Sequence, residues 1–168
     1  MNNEITWLPD CRIQCSETST LLLQRNYLLD TILERFQQGF KALRVLNLSE
    51  THIRSLPYSL LLLRDLCALL LGSCRNLEEI SSLGMLSNLQ KLDLSGTRIT
   101  ELPREMENLR ELRQLDLSKT FLLNSIQPGI ISSLFCLEVL NMKRSGFHFC
   151  LKGEEDGQAT LEELRSFN

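Results

Sequence analysis

Apolar side chains fall in columns along this chain. From Leu89 the apolar positions are Leu89, Leu92 and Leu94; Thr97 follows, and then Ile99, Leu102, Met106 and Leu109. The stretch from Leu89 to Glu111 is one complete unit, and its neighbours on both sides are variations on it. First leucines stand at Leu43, Leu66, Leu89, Leu112 and Leu137, spaced 23, 23, 23 and 25 residues apart. An earlier unit, 25 residues ahead, fits if Thr18 takes the first apolar slot, with Leu21 and Leu23 after it. Membrane and coiled-coil readings each need a different periodicity.

Leucines at positions 1, 4 and 6 cannot be buried within one unit. Stacked units bury them against each other, which creates a row of short parallel strands. The predicted fold is an α/β solenoid, a fragment of a leucine-rich-repeat horseshoe. Short parallel strands line its concave face, and loops or short helices cover the convex face. Residues 18–149 carry the units, starting near 18, 43, 66, 89, 112 and 137. Residues 1–17 read as the tail of a preceding repeat, with Trp7 over the end of the core. Residues 150–168 read as an acidic loop and the start of a further outer helix, with Leu161, Leu164 and Phe167 on one face. Both ends read as cut, so the chain is expected to be a piece of a longer solenoid or the product of a truncated gene.

A second column, Asn26, Thr51, Cys74, Thr97, Thr120 and Ser145, lies where the chain leaves each strand. A small polar group there bonds backbone freed by the turn. Pro57 and Pro103 follow the inward Leu56 and Leu102, and are expected to stiffen the return and prevent extra strand pairing. Leu60, Leu63, Met106 and Leu109 are expected to face inward from the convex pieces. The unit from Leu66 shifts its apolar positions by one, to Leu77 and Ile80, which predicts a local kink. In the unit from Leu112 the inward positions are Leu123, Ile126, Ile130 and Leu134. In the unit from Thr18 they are Leu29, Ile32, Phe36 and Phe40, with a helical turn around Glu34 to Phe40.

Composition narrows the function classes. Among 168 residues, 43% are hydrophobic and 23% charged, and the formal net charge is −3. That balance gives no reason to expect nucleic acid, which favours a strongly basic face. The longest apolar run, Leu60 to Leu71, is interrupted by Arg64 and Asp65 and is too short to span a bilayer. The first residues lack a basic start and apolar run, so no secretory signal is read and a cytoplasmic location is expected. The cysteines at 11, 15, 67, 74, 136 and 150 form no disulfide frame, and Cys11 and Cys15 have no second pair at zinc spacing.

Between the inward leucines, positions 2, 3, 5, 7 and 8 point to solvent. They carry seven basic residues, Arg25, Arg44, Lys91, Arg113, Lys119, Lys143 and Arg144, against four acidic ones, Glu50, Asp93, Asp116 and Glu138. This face is about +3 on a chain of −3. It reads as a docking surface for an acidic partner, helped by electrostatic steering. The candidate contact residues are Arg25, Arg44, Asn47, Glu50, Leu70, Lys91, Asp93, Arg113, Asp116, Lys119, Asn141, Lys143 and Arg144. Leu22 and Leu70, with Cys67 and Ala68, are a candidate apolar contact patch. Catalysis finds no support. His52 reads as a solvated turn residue, and His148 with Cys150 lacks an orienting third group and an oxyanion site. No phosphate-binding glycine motif occurs, so no cofactor is expected in this segment.

The stretches LNLSETHIRSLP at 46–57 and LDLSGTRITELP at 92–103 resemble the repeats of plant intracellular disease-resistance proteins of the coiled-coil, nucleotide-binding, leucine-rich-repeat family. STLLLQRN at 19–26, FKALRVLNLS at 40–49, LEVLNM at 137–142 and GEEDGQATLEEL at 153–164 extend the resemblance. It implies a recognition module in innate immunity that senses a pathogen effector or a modified host protein and contributes to autoinhibition. The implied partners are such an effector, a guarded host protein, or the nucleotide-binding region of the same receptor. No catalytic residue, metal ligand or nucleotide site carries over. The competing reading is a free-standing intracellular scaffold that binds a signalling protein such as a small GTPase. That group usually has asparagine at the turn, which here occurs only at Asn26.

Overall fold

In a computed structural model of the chain, residues 15–26, 39–149 and 159–166 are described. Six three-residue strands form one parallel sheet: β1 (Thr20–Leu22), β2 (Val45–Asn47), β3 (Ala68–Leu70), β4 (Lys91–Asp93), β6 (Gln114–Asp116) and β8 (Val139–Asn141). Each occupies positions 3 to 5 of its repeat. The register keeps the fourth position in line, as Leu21, Leu46, Leu69, Leu92, Leu115 and Leu140. Strands this short are fixed by stacking rather than by their own length.

The hydrogen-bond ladder runs past the strand ends. The sixth residue of each repeat donates its N–H to the fifth carbonyl of the next, as from Leu48 to Leu70 and from Leu94 to Asp116. The eighth donates to the next seventh carbonyl, as from Gly96 to Ser118 and from Lys119 to Lys143. Inward leucines at Leu43, Leu46, Leu48, Leu66, Leu69, Leu71, Leu89, Leu92, Leu94, Leu112, Leu115 and Leu117 are all buried.

The turn column behaves as its chemistry requires. Thr51, Thr97 and Thr120 are buried, and each hydroxyl donates to the carbonyl three residues back, at 2.7, 2.7 and 2.6 Å. The Asn26 amide does the same to Leu23 at 2.9 Å. Cys74 differs: its thiol donates to Leu48 of the preceding repeat at 3.0 Å and lies 3.3 Å from the Thr51 hydroxyl. The Ser145 hydroxyl meets Thr120 at 3.0 Å.

The convex side carries one turn of α-helix, α1 (Tyr58–Leu61), and 3₁₀ turns at Leu83–Met85, Arg104–Asn108 and Leu161–Ser166. Leu60, Leu63, Met106 and Leu109 are buried beneath them, as the spacing predicts. Leu77 and Ile80 are buried too, and the shifted repeat contains Ser82 at φ 63°, a left-handed residue that realigns the chain. Leu123, Ile126, Ile130 and Leu134 fill the core of the longer repeat, and Phe40 is buried. Leu29, Ile32, Phe36, Trp7 and the acidic stretch at 150–158 lie outside the described residues.

One expectation is corrected. Extra strand pairing does occur: β5 (Glu101–Leu102) pairs in parallel with β7 (Ser125–Ile126), and Ser55 bridges Glu79. The pairing residues precede the prolines. Pro103 and Pro57 instead stand as extended N-caps of the convex turns, where a missing N–H costs nothing. In the turn at Leu161–Ser166, Leu161 is exposed and Leu164 is half-buried against the core; just before it Ala159 is buried, and its N–H donates to the Ile126 carbonyl at 2.7 Å. Phe167 lies outside the described residues.

Candidate partner-binding face

Parallel strands alternate their side chains, so the sheet's outer surface is built from positions 3 and 5, flanked by 2, 7 and 8. Position 5 is not a free column. Asn47, Asp93, Asp116 and Asn141 are half-buried, and each accepts the backbone N–H two residues on, in Ser49, Ser95, Ser118 and Lys143, at 2.9, 2.9, 2.8 and 3.2 Å. That N–H sits between two ladder donors and has no ladder partner, so a short polar side chain caps it. Asn141 also donates to the second Asp116 carboxylate oxygen at 3.0 Å. Leu22 and Leu70 occupy the same position without such a group; Leu22 is exposed and Leu70 half-buried, beside half-buried Cys67 and Ala68.

Position 8 has its own geometry. Arg25, Glu50, Ser73, Gly96, Lys119 and Arg144 all have φ between 58 and 65°. One left-handed residue per repeat bends the chain out of the strand, and only Gly96 does so without a Cβ.

The acidic residues of this face are occupied. Glu50 pairs with Arg25 at 3.0 Å, and Glu138 pairs with Arg113. Asp93 and Asp116 cap backbone. Both ion pairs are half-exposed and contribute little to stability. Arg44, Lys91, Lys119, Lys143 and Arg144 are exposed and form no salt bridge among the described residues. The structure therefore sets the candidate residues apart as capping groups, closed ion pairs and free cations. The sequence alone separated none of these.

Other chemistry is sparse. Burial pushes the Cys74 thiol up from its ordinary value, against the opposing pull of its hydrogen bonds with Thr51. Cys15, Cys67, Cys74 and Cys136 are free thiols, and no cluster of metal-binding side chains occurs among the described residues. His52 and His148 are exposed. No helix among the described residues is long and apolar enough to cross a membrane.

Repeats stacked through a parallel sheet, with leucines inward and short convex turns, define a leucine-rich-repeat protein. A family model described as leucine rich repeat matches residues 87–147. The chain is 46% identical over 98% of its length to Disease resistance protein At4g27190 of Arabidopsis thaliana, and covers 17% of it. It is 44% identical over 98% of its length to Probable disease resistance protein At4g27220 of the same plant, and covers 18% of that protein. The Arabidopsis receptor kinase HAESA, solved with the peptide hormone IDA and the co-receptor SERK1, matches with a TM-score of 0.61 and 29% identity. That match covers 76% of this chain and 22% of the receptor. This chain is a leucine-rich-repeat segment similar to those of plant disease-resistance proteins, and it spans less than a fifth of the two disease-resistance proteins named here.

Proposed function

We propose that this segment is a protein-recognition module of a plant immune receptor. It senses a pathogen effector or a modified host protein through its concave sheet, and contributes contacts that hold the receptor quiet until then. The observation that carries this reading is the six-stranded sheet whose acids are engaged while Arg44, Lys91, Lys119, Lys143 and Arg144 form no salt bridge among the described residues. HAESA, solved with a peptide hormone and a co-receptor, supports a binding role for the same fold. The nucleotide-binding region of the same receptor is the partner for the quiet state, and the setting is cytoplasmic.

The test grafts this segment into the matching region of its 46%-identical relative and follows leaf cell death as the defence readout. The unmodified graft should stay quiet without a trigger. Arg44→Glu with Lys91→Glu should make it fire spontaneously or fail to respond. Identical behaviour of the charge-reversed and unmodified grafts would overturn the reading.

A further inference from the structure

One end of the concave rim combines two features that occur together nowhere else among the described residues. Lys119, Lys143 and Arg144 are exposed cations on adjacent repeats, tied by the bond from the Lys119 N–H to the Lys143 carbonyl at 2.9 Å. Lys119 and Arg144 hold the same left-handed position, so their side chains leave neighbouring turns. At the other end of this row Arg25 closes on Glu50, and the middle is Ser73 and Gly96. Charge is thus balanced at one end of the row and left open at the other.

Directly after Lys119 and the buried Thr120 come Phe121 and Leu122, which are 67% and 45% exposed. In earlier repeats the tenth position holds His52, Arg75 or Arg98, all exposed polar residues. The eleventh holds buried Ile53 or Ile99. In this longer repeat the inward place passes to Leu123, which turns two apolar residues outward beside the cations. The neighbouring repeat seals against this turn: the Gly146 N–H donates to the Thr120 carbonyl at 2.9 Å, and a Cβ on Gly146 would stand 2.3 Å from the Phe121 carbonyl oxygen.

We propose that Lys119, Phe121, Leu122, Lys143 and Arg144 form a docking site for an acidic segment of a separate protein, one whose carboxylates flank an aromatic or large apolar residue. Charge complementarity selects the carboxylates, since the three cations here form no salt bridge among the described residues. The apolar pair selects the residue between them, because a Phe left mostly in water gains by being covered. The site deepens the recognition role proposed above and rests on it.

The test is fluorescence anisotropy of a labelled Glu-Glu-Phe-Glu-Glu peptide on the 168-residue chain. Binding should weaken at least tenfold in the double variant Lys119→Gly, Arg144→Gly. Glycine suits the left-handed backbone at both places, so this loss cannot be put down to misfolding. Phe121→Ser should weaken binding several-fold, and substituting Ala for Phe in the peptide should do the same. Arg104→Gln, on a convex turn away from this face, should leave the peptide's affinity unchanged. If the peptide fails to bind the unaltered chain, or binds the double glycine variant equally well, the rim site is wrong. Peptide binding lost only in Arg44→Glu with Lys91→Glu would also sink the rim site, yet leave the concave-face reading standing. Preferential binding of phosphatidylserine vesicles over the peptide, abolished by the glycine variant, would make the rim a lipid-binding surface and overturn the proposal.

Discussion

Single residues in this structure are constrained by whether a Cβ fits and whether a polar atom finds a partner. Gly84 and Gly96 illustrate two different demands on glycine. A Cβ on Gly84 would stand 2.1 Å from the Glu105 backbone oxygen, whereas one on Gly96 meets nothing closer than 3.4 Å but sits at φ 65°. Gly96→Ala should therefore cost about 1 kcal/mol, from backbone strain alone. Gly84→Ala should cost about 2–3 kcal/mol, because two repeats must move apart. Urea denaturation of the two variants checks the order, and equal losses would contradict it. Cys74 gives a second prediction. Iodoacetamide at pH 8 should label half-buried Cys15, Cys67 and Cys136 before it labels Cys74, read by mass spectrometry. The raised thiol pKa also has a sign. Above the ordinary value of 9.0 the unfolded chain loses the Cys74 proton while the folded chain keeps it. The stability from the neutral thiol is thus present below that pH and declines above it. Cys74→Ala should flatten this decline in stability curves taken between pH 8 and 11.

Among the elements, the six strands and the convex turns were legible, because the leucine columns state both the period and the inward face. The shift to Leu77 and Ile80 was legible for the same reason. The second ladder was not. Glu101 and Leu102 pair with Ser125 and Ile126 through backbone groups, and nothing in those side chains announces it. Proline marked where the ladder stops and not that there was one. Nor did the sequence show which charges on the face are free. Asp93 and Asp116 follow the alternation that points them outward, yet each curls to cap a backbone N–H two residues away, a local competition that periodicity does not register. The left-handed column was also hidden, because Arg, Glu, Ser and Lys occupy it where glycine would have signalled it. Ser125→Pro tests the second ladder. It removes one of the two donors to the Thr100 carbonyl, the Asn124 N–H being the other, and should cost about 3 kcal/mol in urea unfolding, while Ser118→Ala, which keeps its backbone donor, should cost almost nothing.

Over the whole molecule, stability is a chain of contacts between neighbouring repeats. Leu69 sits in β3, covered on both sides by β2 and β4, and is fully buried. Leu69→Ala should cost about 2–5 kcal/mol, and Leu21→Ala, at a half-buried edge strand, distinctly less. Thermal unfolding of both variants checks this gradient; equal losses would mean the sheet is not the spine of the fold. The same organisation gives the row of left-handed residues at the strand exits a further meaning. Each bends the backbone at a similar φ, and the bond that holds each of them before Arg144 uses only main-chain atoms. Unbranched residues such as the Arg, Glu, Ser and Lys found there meet a similar backbone strain, so exchanging one for another leaves the scaffold nearly indifferent. The row works like a line of sockets whose fittings can be changed one repeat at a time. Under the recognition role proposed above, a lineage under pressure from a changing adversary can rewrite what this edge contacts without renegotiating how the molecule folds.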